Sequence, residues 1–202
     1  MDLSIFLSVL AVIITFFTFV FYNKDVLKGD IGPTMISWLL WSFITVVGTT
    51  TYQFANGDWV KTAAILTDCL GGLVTTCIIF IVAFRKDISF KDFFFNLWKR
   101  MDRWQKSAAI TSAASLVIWP ASHSAYTGNF ILLAGYAIAF APNDPKNEKP
   151  APWLAWAAAH TLIVAVVIMR WQDNWLDLIP PIVYALLHAA LGFLALENTR
   201  KA

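Results

Sequence analysis

Trp38-Leu39-Leu40-Trp41 returns 115 residues later as Trp153-Leu154-Ala155-Trp156. Each copy follows a proline, Pro33 in one case and Pro150 and Pro152 in the other, and each opens a long apolar run. A third tryptophan follows each copy in a similar polar loop, Asn56-Gly57-Asp58-Trp59 and Gln172-Asp173-Asn174-Trp175, and a second apolar run comes after it. With only 10 tryptophans in 202 residues, a repeated WLxW with a matched downstream tryptophan is not a chance spacing. The chain reads as two copies of one membrane unit.

Composition agrees. The chain is 58% hydrophobic and 14% charged, with a mean hydropathy of +0.63. A soluble domain sits at roughly 45–50% apolar and about 25% charged. Apolar runs approaching the ~20 residues needed to cross a bilayer recur throughout. The expected protein is all-helical and polytopic. The first run, 3–22, has no basic n-region and no small-residue cleavage site, so it reads as a retained span. The net charge of +2 points to no acidic partner, and nucleic acid is not expected. Cys69 and Cys77 fall inside one apolar run and read as small buried hydrophobes.

Seven spans are expected, at 3–22, 34–53, 60–84, 106–121, 125–142, 152–171 and 176–196. The fourth is short and rich in Ala and Ser, which suits close packing among helices. With the N-terminus outside, 13 of the 15 lysines and arginines fall in cytoplasmic segments, Lys61 and Arg170 being the exceptions. The positive-inside rule therefore gives an outer N-terminus and a cytoplasmic C-terminus.

Between the third and fourth spans, Phe90, Phe93, Phe94, Leu97, Trp98, Met101 and Trp104 recur at helical spacing. Lys91, Asp92, Asn96, Lys99, Arg100, Asp102 and Arg103 take the other face. This predicts an amphipathic helix over 85–105 lying on the cytoplasmic interface. It serves either as a linker in the membrane plane, suited to anionic headgroups, or as a docking surface for a protein partner.

The division is then 1–84 for a first three-helix repeat, 85–105 for the interfacial helix, 106–121 for a linker span, and 122–202 for a second repeat. Three helices reverse the chain and the linker reverses it again. The halves share one orientation, as parallel repeats about an axis along the membrane normal. In this 3 + 1 + 3 order, with its N-terminus outside, the chain resembles the SWEET and PQ-loop superfamily. The proline–glutamine dipeptide of that family is absent. Gly32-Pro33-Thr34 and Lys149-Pro150-Ala151-Pro152 stand in its place. Pro33 followed by Ser37 to Trp41 is also similar to a group of small bacterial membrane proteins with a P-x-x-x-SWLLW second span. The resemblance implies a path for a small polar solute between the halves, with polar contacts on the third and seventh spans.

Asp68, in the middle of the third span, is the leading candidate, because a carboxylate at membrane depth must be paired, hydrated or protonated. It either lines a solute or proton site or bonds a neighbouring helix for structure. His160 and His188 lie mid-span in the second repeat, and an imidazole opposite Asp68 would make a proton relay. The alternative is two packing histidines. Aligned on WLxW, His160 matches Thr45, and Asp68 matches Val183 or Tyr184. Tyr184, His188 and Gly192 share one helical face, and Trp38, Trp41, Ser42, Thr45, Gly48, Thr49 and Tyr52 share another. That second stripe lines a solute path or merely back-bonds and packs. Trp41 and Trp156, with Trp38 and Trp153, read as interfacial-belt or packing residues, or as a gate at the cytoplasmic mouth. Asn129 is a further candidate in the fifth span.

No nucleophile sits beside a base, no glycine loop cradles phosphate, and no HxxxH or paired-carboxylate spacing suggests a metal. No enzyme activity, cofactor or metal is expected. Two expectations follow. One is a small-solute transporter with partners limited to lipid, its solute and a second copy. The other is a non-transporting subunit or receptor of a membrane complex, or a scaffold for lipid or pigment.

Overall fold

The computed structural model describes residues 2–85, 89–122, 147–171 and 174–201. Among them every regular element is helical. Helix α1 spans Leu3–Lys28, α2 Met35–Asn56 and α3 Trp59–Phe84. The short helices α4 (Phe90–Phe95) and α5 (Leu97–Arg100) lead into α6 (Arg103–Ser122). Helix α7 spans Pro150–Met169, and a 3₁₀ turn at Trp175–Leu178 opens into α8, Ile179–Lys201. Five segments are long and apolar enough to cross a membrane: α1, α2, α3, α7 and the turn with α8. Helix α6 has 20 residues but is not one of these five. The expected fifth span, 125–142, lies outside the described residues.

Local sequence sets the boundaries. Asp2 caps α1, its carboxylate accepting from the Ser4 amide at 2.9 Å. The helix runs six residues past its expected end, to Lys28, where Gly29 takes φ 77° and its amide closes the last turn on Asp25 and Val26. Gly57, at φ 65°, ends α2 in the same way on the Gln53 carbonyl. Asp58 at once caps α3 through the Val60 amide, so one Gly–Asp pair stops one helix and starts the next. Pro150 stands in the first turn of α7, and Pro180 and Pro181 in that of α8, where an amide is not needed.

The side chains are arranged inside out. On α1 the buried face is Ser4, Ser8, Ala11, Thr15 and Thr18, followed by Phe19 and Tyr22. Its exposed face carries Phe6, Val9, Ile13, Phe16, Phe17, Val20 and Phe21. Polar inside and apolar outside is stable only where the surroundings are hydrocarbon.

Helix α3 packs on both α1 and α2, α7 packs on α1 and α8, and α3 touches α7. The starts of α2 and α7 meet at one end of the bundle, called here the WLxW end. The starts of α1 and α3 and the end of α7 meet at the other, where Arg170 donates to Asp58 at 2.6 Å and reaches Asp2 at 3.5 Å.

The segment expected as one amphipathic helix over 85–105 is broken twice. Asn96 leaves helical geometry and its side-chain amide donates to the Asp92 carbonyl at 3.1 Å. Met101 is extended, and Asp102 and Gln105 then cap α6 reciprocally, at 2.8 and 3.1 Å. The apolar stripe is split accordingly. Phe93 and Met101 are buried, Phe93 against Phe80 and Phe84 of α3, whereas Phe95, Trp98 and Trp104 are exposed.

Candidate functional site

The two WLxW copies meet in the interior. Within each copy the indoles are edge-to-face, at 4.3 Å and 72° for Trp38–Trp41 and 5.0 Å and 66° for Trp153–Trp156. Across the copies Trp41 lies 6.2 Å and Trp38 6.5 Å from Trp156. Phe19 and Tyr22 of α1 wedge against them, with Phe19 4.8 Å and Tyr22 5.3 Å from Trp156. All four indoles are at most 3% exposed. They are therefore packed in the interior and not part of an interfacial belt. The exposed tryptophans Trp59, Trp98, Trp104, Trp171 and Trp175 retain that possibility. Below this plug, Glu148 accepts from the Tyr22 hydroxyl at 3.1 Å and from the Trp153 indole at 3.1 Å. Burial pushes the Glu148 carboxyl up to about 7, with those two donors pulling the other way. Beside it Lys149 bridges Asp25 at 2.9 Å and Asp30 at 3.2 Å.

One layer further in are Asp68 on α3, His160 on α7, and Tyr184 and His188 on α8, all buried. Asp68 Oδ2 lies 3.9 Å from His160 Nε2. The imidazoles of His160 and His188 stack at 5.1 Å and 12°, and Tyr184 lies 5.2 Å from the His160 ring. His188 Nδ1 is 2.7 Å from the Tyr184 carbonyl oxygen. A carbonyl only accepts, so Nδ1 is the protonated nitrogen and Nε2 carries the lone pair. Trp153 stacks on His188 at 5.7 Å and Trp41 approaches it at 6.2 Å, so the tryptophan plug covers this layer on the WLxW side. Asp68 Oδ1 and both ring nitrogens of His160 make no hydrogen bond among the described residues. Unsatisfied buried polar atoms of this kind cost about 1–3 kcal/mol each, more when charged.

A third layer lies seven residues away on each helix, about 10 Å along the axis. Lys61 of α3 donates to Asp177 at 2.8 Å with both side chains buried, and the Tyr52 hydroxyl of α2 donates to the Asp177 carbonyl at 3.1 Å. Beyond it a polar recess of about 320 Å³ opens between Asp2, Ser4, Asp58, Met169, Arg170 and Trp171. At its wall, partial burial works upward on Asp58, but Arg170 and the Val60 amide outweigh it and hold the carboxyl below its usual range.

Of the residues singled out from sequence, Asp68, His160, His188 and Tyr184 come together, with Trp41 and Trp156 as their cover. Thr45 is buried, but its hydroxyl donates to the Ser42 carbonyl of its own helix at 3.1 Å, the back-bonding alternative. Ser42 and Thr76 tie α2 to α3 at 2.7 Å, so that part of the polar stripe is structural. Asn129 lies outside the described residues. Sequence reasoning passed over Glu148 and the Lys61–Asp177 pair. Both sit in stretches that read as solvated loops or helix ends.

Comparison of the chain with protein-family models, with curated proteins and with solved structures finds no match.

Proposed function

We propose that the chain is a small-solute transporter or facilitator of 3 + 1 + 3, SWEET- and PQ-loop-like architecture, and that its solute binds at Asp68, His160, His188 and Tyr184. The carrying observation is that a carboxylate and two imidazoles, drawn from both halves of the sequence, meet in the interior of a membrane bundle, where Asp68 Oδ1 and both His160 nitrogens have no hydrogen bond among the described residues. Polar pairs elsewhere in this bundle meet directly, Ser42–Thr76 at 2.7 Å and Lys61–Asp177 at 2.8 Å, whereas Asp68 Oδ1 and the His160 nitrogens have no hydrogen bond among the described residues, which favours the Asp68 layer for a ligand.

The parallel repeat is supported by register. Trp38 and Trp41 stand 115 residues from Trp153 and Trp156, and the two copies touch; Lys61 stands 116 from Asp177, and those two touch as well. Equivalent residues meet where a two-fold axis passes, here between the halves. With the N-terminus outside, the tryptophan plug closes the cytoplasmic side and the Arg170 recess faces outward. The layered order describes an occluded carrier with a seal on either side of its site.

The test is thermal stabilisation of the purified protein across a panel of metabolites and ions, repeated with Asp68→Asn. A specific shift that vanishes in the variant places the solute at Asp68. A shift that survives unchanged removes Asp68 from the site.

The exposed Phe95, Trp98 and Trp104 beside Lys99 and Arg100 favour a second reading, a non-transporting membrane subunit docked through α4 and α5. Co-purification of a defined complex that is lost on Trp98→Ala would favour it.

A further inference from the structure

We infer that Asp68, His160 and His188 form a site for one divalent first-row transition-metal ion of the zinc class. This inference rests on the reading of the Asp68 layer as a binding site, but not on transport. The three residues each offer one ligand atom, and those atoms lie within 4.8 Å of one another, with all three side chains buried. A tetrahedral ion bound at about 2.0–2.2 Å draws its ligands to roughly 3.3 Å apart. The two imidazoles stack at 12°, so closure requires the His160 ring and the Asp68 carboxylate to turn toward a common point, and neither Asp68 Oδ1 nor a His160 nitrogen has a hydrogen bond among the described residues to break.

Chemistry selects the ion. Two imidazole nitrogens and one carboxylate oxygen suit zinc, iron, cobalt or nickel, whereas calcium and magnesium take oxygen ligands almost alone. Electrostatics agrees, because a dication beside Asp68 answers a buried carboxylate whose Oδ1 accepts no hydrogen bond among the described residues. The surroundings have the form that metal histidines require. His188 gives its Nδ1–H to the Tyr184 carbonyl at 2.7 Å and is stacked on Trp153, which fixes its tautomer and ring plane. His160 has no such second partner, so it is the adjustable ligand, the one that would swing to capture or release the ion. The three ligands come from α3, α7 and α8, so any motion that parts the first half from the second opens the site.

The experiment is titration of tag-free, full-length protein in detergent with Co²⁺, followed by Zn²⁺ competition and by metal analysis after dialysis. One Co²⁺ per chain with the visible bands of four-coordinate cobalt, displaced by Zn²⁺, is expected. Asp68→Asn, His160→Gln and His188→Gln are each expected to weaken binding by at least about 10-fold. His160→Cys, which restores a ligand, is expected to recover binding with a new thiolate-to-cobalt absorption band. Absence of saturable binding by the wild-type chain overturns the site without recourse to any variant. Binding that all three substitutions leave unchanged overturns it equally. Proteoliposome uptake of the same ion separates the two proposals. One ion bound per chain with no uptake refutes carriage of that ion and leaves the metal site standing.

Discussion

Glu148 sets the pH response of the WLxW end. Burial holds its folded-state carboxyl at about 7, against 4.5 when exposed. Between those values the folded chain keeps a proton that the unfolded chain has lost, so stability falls as pH rises. The fall is complete near pH 7 and amounts to on the order of 3 kcal/mol. Melting temperatures across pH 4.5–7.5 test this: Glu148→Gln should flatten the slope, and an unaltered slope would assign it to another group. Asp58 has the opposite sign, its lowered value giving stability that is lost only under strong acid. Lys61 and Asp177 make a different prediction. Lys61→Met alone takes the ammonium away from a buried Asp177 carboxylate and should cost about 3–5 kcal/mol, whereas the double variant Lys61→Met/Asp177→Leu should recover most of that. Thermal unfolding of the single and double variants measures the difference. The depth of Asp68 could be read from its neighbours alone, because an acid between Thr67 and Cys69 sits inside an apolar run. That of Glu148 could not. Its stretch Asn143-Asp144-Pro145-Lys146-Asn147-Glu148-Lys149-Pro150 looks solvated, and its burial depends on Tyr22, 126 residues away.

At the scale of elements, α1 and α3 approach closely because Gly71 has no side chain. A Cβ there would stand 2.1 Å from the Phe19 ring. Gly71→Ala should push Phe19 off Trp41 and Trp156, cost about 1–3 kcal/mol and broaden the tryptophan fluorescence. Unchanged melting and emission would show that the helices can separate without loss. The long spans were legible because apolar length and Gly–Asp or Pro punctuation act locally. The segment 85–105 was misread for an instructive reason. Its apolar period is helical throughout, but Asn96 and Asp102 offer capping hydrogen bonds that compete with continuation, while Phe93 packs on Phe80 and Phe84. Periodicity records which face is apolar, not whether one rigid element carries it. The meeting of Asp68, His160 and His188 is invisible to spacing along one helix, because the three residues come from three.

At the scale of the molecule, the lysine and arginine distribution predicts which way the bundle points. Single cysteines at Ser89 and Asn56, in a background without Cys69 and Cys77, should label oppositely with an impermeant maleimide in intact cells. Asn56 is expected to react from outside and Ser89 only after lysis; the reverse pattern would invert the orientation. The pairing of Lys61 with Asp177 says something further about how such a molecule is put together. Were the first half to pair with a copy of itself about the same axis, two lysines would face each other in a dry interior, and for the second half two aspartates. Each half is thus a poor partner for its twin and a good one for its sibling. Expressed as separate pieces, the halves should assemble only as a mixed pair. In the repeat proposed above, the asymmetry lies on the seam itself.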